Sequence, residues 1–416
     1  MKKSIKPSKI KGTIKAPASK SMLQRAIAAA LLAETPTNIL NPTYSNDSKA
    51  ALRVIEALGA QVTTSKDKIF IEGGMNPTGE ILNCGEAGLS IRMFSPIAAL
   101  WHEELTLTGE GSLISRPVSM IEKPLKALGV NVCTTNGCPP LTVKGPLQGG
   151  EAEVDGSVSS QFLTGLLMAL PKATKDSLLA VKDLKSIPYV DLTMTLLKAF
   201  GIEAQHSNYE TFFIKGNQKY SIGEYQVEGD WSGASFLLVA GAVGGCVTVT
   251  GLDMGSPQAD RKIINAIKAA GASVKTLGHR VEITRNELKA FNFDATHCPD
   301  LFPPLVALAN NCEGTTKLIG VERLTHKESD RAKTLEKEFS SLGAVIRIDG
   351  NRMEIMGTKL KGGVIDSHND HRIAMAGGLA AINAEGDVTI RNPQCVAKSY
   401  PDFFEDFAAI GGIVYE

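Results

Sequence analysis

A period hidden in this 416-residue chain constrains its fold more than any single segment does. Six stretches share one pattern, an amphipathic run, a glycine, a branched or small apolar residue and then alternating residues: VIEALGAQV, PLKALGVNV, LLKAFGIEA, AIKAAGASV, EFSSLGAVI and DFAAIGGIV. Their glycines, Gly59, Gly129, Gly201, Gly271, Gly343 and Gly411, are 70, 72, 70, 72 and 68 residues apart. A fixed spacing of this kind means six copies of one structural unit. Glycine closes a helix in the left-handed conformation, and the alternating tails KIFIEG, PLTVKG, TFFIKG, RVEIT and RMEIMG read as strands. A second helix precedes the first at the same period, centred near Ala29, Ile97, Leu166, Leu238, Val306 and Leu379. These helices are apolar on nearly every face, which predicts burial. The fold class is therefore α/β, each unit placing one helix inside and one outside a small sheet.

The sixth copy stops at Val414-Tyr415-Glu416, just after its first strand, and lacks the partner the others own. The N-terminal SIKPSKIKG is a strand-like piece without a preceding helix and can supply it. Pairing there ties both termini into one domain. The expected organisation is a split three-unit domain, residues 1–19 plus 230–416, with residues 20–229 as an inserted three-unit domain. Gly229 and Asp230, in VEGDWSGAS, mark the crossover.

Charge narrows the function. The 44 Lys and Arg cancel the 44 Asp and Glu, so a nucleic acid is not the expected partner and any basic site must be local. The seven cysteines are odd in number and contain no C-x-x-C spacing, which predicts reduced, mostly buried thiols and no metal site. The start, MKKSIKPSKIKG, has no apolar run behind its charges and does not read as a secretory signal. The longest nearly uncharged stretch, residues 233–252, holds too many glycines and polar residues for a membrane span. A cytoplasmic protein is expected.

Lysine and arginine at a helix N-terminus oppose the helix dipole, at a cost of up to about 1 kcal/mol. Here they recur at apparent helix starts: Lys20 and Arg25 in SKSMLQRAIAAALLA, Arg92 in GEAGLSIRMFSPIAAL, Arg116 before Pro117, Lys327 and Arg331 in KESDRAKTLEKEF, Arg372 in NDHRIAMAGG, and Lys398 in AKSYPDFFEDF. Asp370 is the expected cap of the helix that Arg372 begins, and Ser399 of a helix containing Pro401. A bound anion turns all of these placements favourable. Hydroxyls and an amide beside them, Ser159, Ser160, Gln161, Ser186 and Tyr189, suit phosphate and carboxylate contacts. The pattern predicts a site for a small molecule bearing several anionic groups. Asp47, Asp300, Glu328 and Asp370 interrupt the basic set. Asp300 reads either as a helix cap or as a carboxylate kept ionised among cations, and His371 either as oriented packing or as an acid-base group.

The motifs SKSMLQRA, GEAGLSIRM, SRPV, DGSVSSQFLTG, SIPYVDLT, CPDLFPPL, HKESDRAKTL, SHNDHRIAMA and AKSYPDFFEDF, in this order and spacing, resemble the 5-enolpyruvylshikimate-3-phosphate synthase family across essentially the whole chain. The resemblance implies two domains of three βαβαββ units closing over a cleft. It implies transfer of the enolpyruvyl group of phosphoenolpyruvate to the 5-hydroxyl of shikimate 3-phosphate, on the route to chorismate and aromatic amino acids. By matching motif, Lys20, Ser21, Arg25, Ser159, Ser160, Ser186, Tyr189, Asp300 and Lys327 would face shikimate 3-phosphate, and Lys20, Gly88, Arg116, Gln161, Arg331, Arg372 and Lys398 phosphoenolpyruvate. Asp300 would take the hydroxyl proton, and Glu328 with Lys20 would move the proton at the methylene carbon. The resemblance implies no metal, no organic cofactor, and a monomer. Two departures stand out: Glu86-Ala87-Gly88-Leu89 where many relatives have Asn-Ala-Gly-Thr, and Arg323 where asparagine is frequent. Two other readings compete. The related transferase acting on UDP-N-acetylglucosamine shares the fold but typically has a cysteine in the loop before its Arg-Pro, where this chain reads GEGSLISRPV. A noncatalytic anion-binding repeat protein would have no use for Asp300 and Glu328 among its cations.

Overall fold

Each of the six repeats supplies one inner and one outer helix. They are α1 (Lys20–Leu32) and α2 (Asn46–Ala57), α3 (Gly88–Ala98) and α4 (Glu122–Ala127), α5 (Gln161–Ala169) and α6 (Ile187–Ala199), α7 (Trp231–Gly244) and α8 (Ile263–Ala269), α9 (Phe302–Asn310) and α10 (Arg331–Ser341), and α11 (His371–Ala381) and α12 (Phe403–Ala409). The computed structural model describes residues 1–325 and 327–416. It resolves into two compact units, an inserted one, Lys20–Val227, and a split one, Met1–Ser19 with Glu228–Glu416.

The inner helices behave as their all-round apolar sequences demand. Every residue of α3, α9 and α11 is buried, and along α7 only Ser232 and Gly244 are not. The outer helices bury one stripe; α2, for example, covers Ala50, Ala51, Val54 and Ile55 and leaves Arg53 and Glu56 in solvent. None of the described helices is long and apolar enough to cross a membrane.

Each repeat also owns one four-stranded mixed sheet. In the second repeat the order is Ile81–Asn83, Glu104–Thr108, Cys138–Lys144, Asn131–Thr135; the first pair is parallel and the other two are antiparallel. The five strand tails read from the sequence are the strands that follow the closing glycines, up to Arg352–Met356 in the fifth repeat. Two sheets borrow from the N-terminus. Lys2–Lys6 stands between Val388–Arg391 and Ile413–Tyr415, antiparallel to both, and so completes the sixth repeat. Ile10–Lys15 pairs in parallel with Gly245–Thr250 and leads the sheet of the fourth repeat. The piece expected to serve one sheet thus serves two. Pro7, which has no N–H to give a ladder, separates the two strands. In the inserted unit the returning chain plays the same leading part, with Glu224–Gln226 parallel to Thr37–Leu40.

Two sequence expectations need correction. The cysteines are free as expected, but only Cys84, Cys298 and Cys312 are buried, while Cys133 is exposed on a strand whose outer face is solvated. The last helix begins at Phe403 with Asp402 at its cap position, so it does not contain Pro401 and Ser399 does not cap it.

All six closing glycines have positive φ, between 76° and 108°. Their surroundings differ. A Cβ at Gly59 would lie 2.6 Å from the carbonyl oxygen of Asn76 and 2.7 Å from its amide, whereas a Cβ at Gly201 would meet nothing within 4 Å. Gly201→Ala should therefore cost only the left-handed penalty of about 1–2 kcal/mol. Gly59→Ala should add a backbone clash and lose about 2–5 kcal/mol in all. Urea unfolding of the two variants measures the difference, and equal losses would mean that strain alone requires the repeated glycine.

Candidate active site

The inner helices begin at equivalent places in every repeat, and the two units treat those six N-termini differently. In the inserted unit, α1, α3 and α5 have no acidic residue in the first turn, and neither Ala87 nor Ser160 donates a side-chain cap. In the split unit Asp230 caps α7 by accepting from the amide of Ser232, and Asp370 caps α11 by accepting from that of Arg372. A short 3-10 turn, Pro299–Leu301, holds Asp300 just ahead of α9. The split unit places carboxylates on or near these positive ends, whereas the first turns of α1, α3 and α5 hold none.

Arginines converge on these three helix starts. Arg92, in the second turn of α3, is buried and donates to the side-chain oxygen of Gln161 at 2.9 Å and to the carbonyl of Pro117 at 2.9 Å. A Cβ added at Gly88 would lie 3.1 Å from an Nη of Arg92, 3.1 Å from an Nη of Arg116 and 3.7 Å from the Gln161 oxygen, so only glycine leaves the three groups this room. Burial and the neighbouring Arg116 push the Arg92 guanidinium down to about 10. Among the described residues no carboxylate pairs with Arg92. Two guanidiniums crowded at a helix start without a side-chain cap are an arrangement that favours an oxyanion.

Arg25 is 1% exposed and ties three helices: its Nε donates to Thr193 Oγ1 at 2.9 Å, its Nη groups to the carbonyls of Ser21 and Tyr189 at 2.8 and 3.3 Å and to Thr164 Oγ1 at 3.4 Å. Burial lowers it to about 10. Lys20, the first residue of α1, pairs with Asp47 at 2.8 Å. The hydroxyl of Ser159 accepts from the amide of Gln161 at 3.2 Å, and the neighbouring Ser160 is buried. Ser186 precedes α6 with φ 58° and ψ 41°, a left-handed conformation that costs a non-glycine residue about 1–2 kcal/mol. Strain of this kind collects at functional sites.

In the split unit the cations share carboxylates. Asp300 receives Lys327 at 3.3 Å, Arg331 at 2.9 Å and Arg372 at 3.1 Å, with its side chain still 21% exposed. The cap position of α9 is Leu301, and the Asp300 carboxylate is occupied by these three cations. Burial by itself would raise the Asp300 carboxyl, but Arg372, Lys327 and Arg331 together outweigh it and hold the group well below the usual carboxylate range. Arg331 is 1% exposed and also donates to Asp370 at 2.9 and 3.2 Å and to Glu328 at 2.6 Å. Burial opposes its charge, yet Asp370, Glu328 and Asp300 raise it above the ordinary arginine value. Lys327 is lowered by burial, with Asp300 acting against that shift. Glu328, Asp370 and His371 bring ligand-type atoms within 4.8 Å of one another, but Arg331 donates to both carboxylates and fills the part a cation would play.

Two cations lie elsewhere than the sequence suggested. Arg116 is not at a helix start: it sits in extended backbone after the 3-10 turn Gly111–Ser115, and α4 begins at Glu122. Lys398 is buried as the last residue of the 3-10 turn Pro393–Lys398, ahead of the turn that leads into α12. Pro401 lies in the turn before α12, and Pro117 in irregular backbone ahead of the 3-10 turn Ser119–Ile121 that leads into α4. Arg92 was noted only as one of the recurring cations, and its place beside Gly88, Arg116 and Gln161 could not be read from spacing. His371 is buried, with Nδ1 3.9 Å from Asp370, in keeping with oriented packing.

Comparison with known proteins points one way. The family model described as EPSP synthase (3-phosphoshikimate 1-carboxyvinyltransferase) matches residues 5–407. A 3-phosphoshikimate 1-carboxyvinyltransferase of Clostridium novyi (strain NT) is 41% identical, covering 99% of this chain and 97% of its own. One from Methanocorpusculum labreanum is 37% identical over the full length of both. Among solved structures, EPSP synthase from Acinetobacter baumannii superposes with a TM-score of 0.85 at 27% identity over 100% of both chains. The enolpyruvyl transferase NikO from Streptomyces tendae shares the fold, with a TM-score of 0.82 at 18% identity, covering 100% of this chain and 98% of that one.

The charge network makes its own prediction. Arg331→Met leaves Asp370 and Glu328 without their guanidinium and should lower the unfolding free energy by about 3–5 kcal/mol at pH 7. Asp300 is depressed in the folded protein, so the stability it contributes is present above the unfolded carboxylate value of about 4 and is lost as pH falls through the folded one. Denaturant titrations from pH 7 to 3 should show wild type and variant converging below about pH 4. A gap that stays constant with pH would assign the loss to packing instead of charge.

Proposed function

Because the chain belongs to the EPSP synthase family, we propose that its two charged faces together carry out that family's transfer, joining the enolpyruvyl group of phosphoenolpyruvate to the 5-hydroxyl of shikimate 3-phosphate with release of phosphate. The observation that carries the reading is the sharing of one carboxylate, Asp300, by Lys327, Arg331 and Arg372. Shikimate 3-phosphate is taken by Lys20, Ser21, Arg25, Ser159, Ser160, Ser186, Tyr189, Asp300 and Lys327, and phosphoenolpyruvate by Lys20, Gly88, Arg116, Gln161, Arg331, Arg372 and Lys398, with Arg92 added to the second set. Residues of both units belong to these two sets. The enzyme works in this reading as a cytoplasmic monomer on small-molecule substrates.

The chemistry is an addition followed by an elimination. Asp300 accepts the proton of the 5-hydroxyl as its oxygen bonds to C2 of phosphoenolpyruvate, while C3 gains a proton from Glu328 or Lys20. The C2–O bond to phosphate then breaks, C3 returns a proton, and the enolpyruvyl ether and phosphate leave. Held well below the usual range, Asp300 is a weak base before substrate arrives. Phosphate and carboxylate groups on Lys327, Arg331 and Arg372 cancel the field that depresses it, so its basicity rises when the substrates are in place. The cations meanwhile sit against charge that stays on phosphate and carboxylate, which lets fixed side chains supply the electrostatic stabilisation.

The test of the reaction is phosphate release from phosphoenolpyruvate, measured with a chelator present. Turnover should require shikimate 3-phosphate and be absent with UDP-N-acetylglucosamine; the reverse preference, or abolition by the chelator, would overturn the reading. For the base, Asp300→Asn should lower kcat by about 10² to 10⁴. The acid limb of kcat/KM should keep its midpoint, since Asp300 does not titrate in the free enzyme near that range. A variant with near-normal kcat and a verified fold would leave Asp300 as a counter-ion only.

A further inference from the structure

The split unit has a second concave surface that this transfer does not use. It is a cavity of about 990 Å³ bordered by the strands Lys2–Lys6 and Val388–Arg391, by the 3-10 turn Pro393–Lys398 and by the start of α12. Val396, Ala397 and Phe404 give it apolar wall, and Lys2, Lys3 and Arg391 give it positive charge. Among the described residues none of these three cations has a carboxylate within 4.0 Å, although Glu405 and Glu416 also line the cavity. Lys3 instead holds its Nζ 5.8 Å from the centre of the Phe404 ring.

Lys2 and Arg391 are direct cross-strand partners, which puts two like charges opposite each other on one face of an antiparallel pair. Such pairing is unfavourable in the empty protein and is relieved by an anion between the two. Strand alternation sets Lys2 and Arg391 on the face opposite Lys3 and Phe404, so at this end of the strands the paired charges and the apolar wall border one cavity from two sides, which fits a ligand with a carboxylate at one end and a ring at the other. The cavity also touches the transfer machinery through the backbone. Val396 and Ala397 line it, and the next residue is Lys398. The carbonyl of Val396 accepts from the amides of Ser399 at 3.1 Å and Tyr400 at 2.8 Å, so a ligand that moves Val396 moves the backbone on both sides of Lys398.

We propose that this cavity binds a small arylcarboxylate, separately from the transfer substrates, and that its occupancy changes the affinity for phosphoenolpyruvate through the turn that bears Lys398. The coupling rests on the assignment of Lys398 under Proposed function; the binding does not. By linkage the effect is reciprocal.

The first measurement is calorimetric titration of the full chain, without substrates, using 3-phenylpropionate as the probe. Binding should be about tenfold or more tighter than that of 3-phenylpropanol, which lacks the charge, and of acetate, which lacks the ring. It should weaken about tenfold in a variant carrying Lys2→Gln and Arg391→Gln, whose basal kcat stays at the wild-type value and whose melting temperature is no lower, since the cross-strand repulsion is gone. Lys3→Gln, tested alone, should weaken it as well, which guards against a folding defect in the double variant. Equal affinity for the alcohol, or unaltered binding in both variants, overturns the site. The second measurement is the KM for phosphoenolpyruvate at saturating 3-phenylpropionate. It should shift in the wild type and not in the double variant, while an unchanged wild-type KM overturns the coupling. The titration needs no turnover, so a failure of the proposed reaction leaves its outcome readable.

Discussion

Arg331 organises the functional face of the split unit. A guanidinium with 1% exposure pays heavily for leaving water, and it keeps its charge because Asp300, Glu328 and Asp370 surround it. Those carboxylates come from three places: the turn before α9, the segment before α10 and the cap of α11. One side chain therefore ties the fifth repeat to the sixth. Asp370 carries a double duty, since it ends the dipole of α11 and grips Arg331 through both oxygens. Asp300 is aimed by the same contact, and Lys327 and Arg372 reach it from two other sides.

The two units solve one architectural problem with opposite electrostatics. Six inner helices present six N-termini, each with unpaired amides and a positive dipole end. The split unit answers with aspartates, two of them as side-chain caps, and its cations settle on carboxylates. The inserted unit leaves α3 without a side-chain cap, gives the first amide of α5 the Ser159 hydroxyl, and sets Arg92, Arg116 and Gln161 around Gly88. In the split unit Lys327, Arg331 and Arg372 meet on a carboxylate, whereas Arg92 of the inserted unit spends its donors on Gln161 and on backbone carbonyls.

The six-fold repeat, the glycine that closes each outer helix, the inner and outer helices and the loan of an N-terminal strand to the last sheet are all legible along the chain. They depend on local quantities: a period of 3.6 or 2, a positive φ, a missing strand. The motifs that resemble the synthase family are equally local, because each is a short run on one helix start or loop. Reading helix starts from cations failed at Arg116, which lies in extended backbone, and at Lys398, which ends a 3-10 turn ahead of α12. Pro7 likewise divided what looked like one strand into two that serve different sheets.

The sequence alone determined the repeat, the fold class and the set of charged residues, since periodicity and backbone preference act over a few neighbours. Tertiary structure decided which of those charges meet. Asp300 lies 31 residues from Arg331 and 72 from Arg372, and Arg92 lies 69 from Gln161. Whether Asp300 caps a helix or serves three cations depends on burial and on distances of about 3 Å between separate repeats, and the energy of a charge pair changes several-fold over that range of surroundings. No pattern along the chain encodes those distances; the packing of the inner helices sets them.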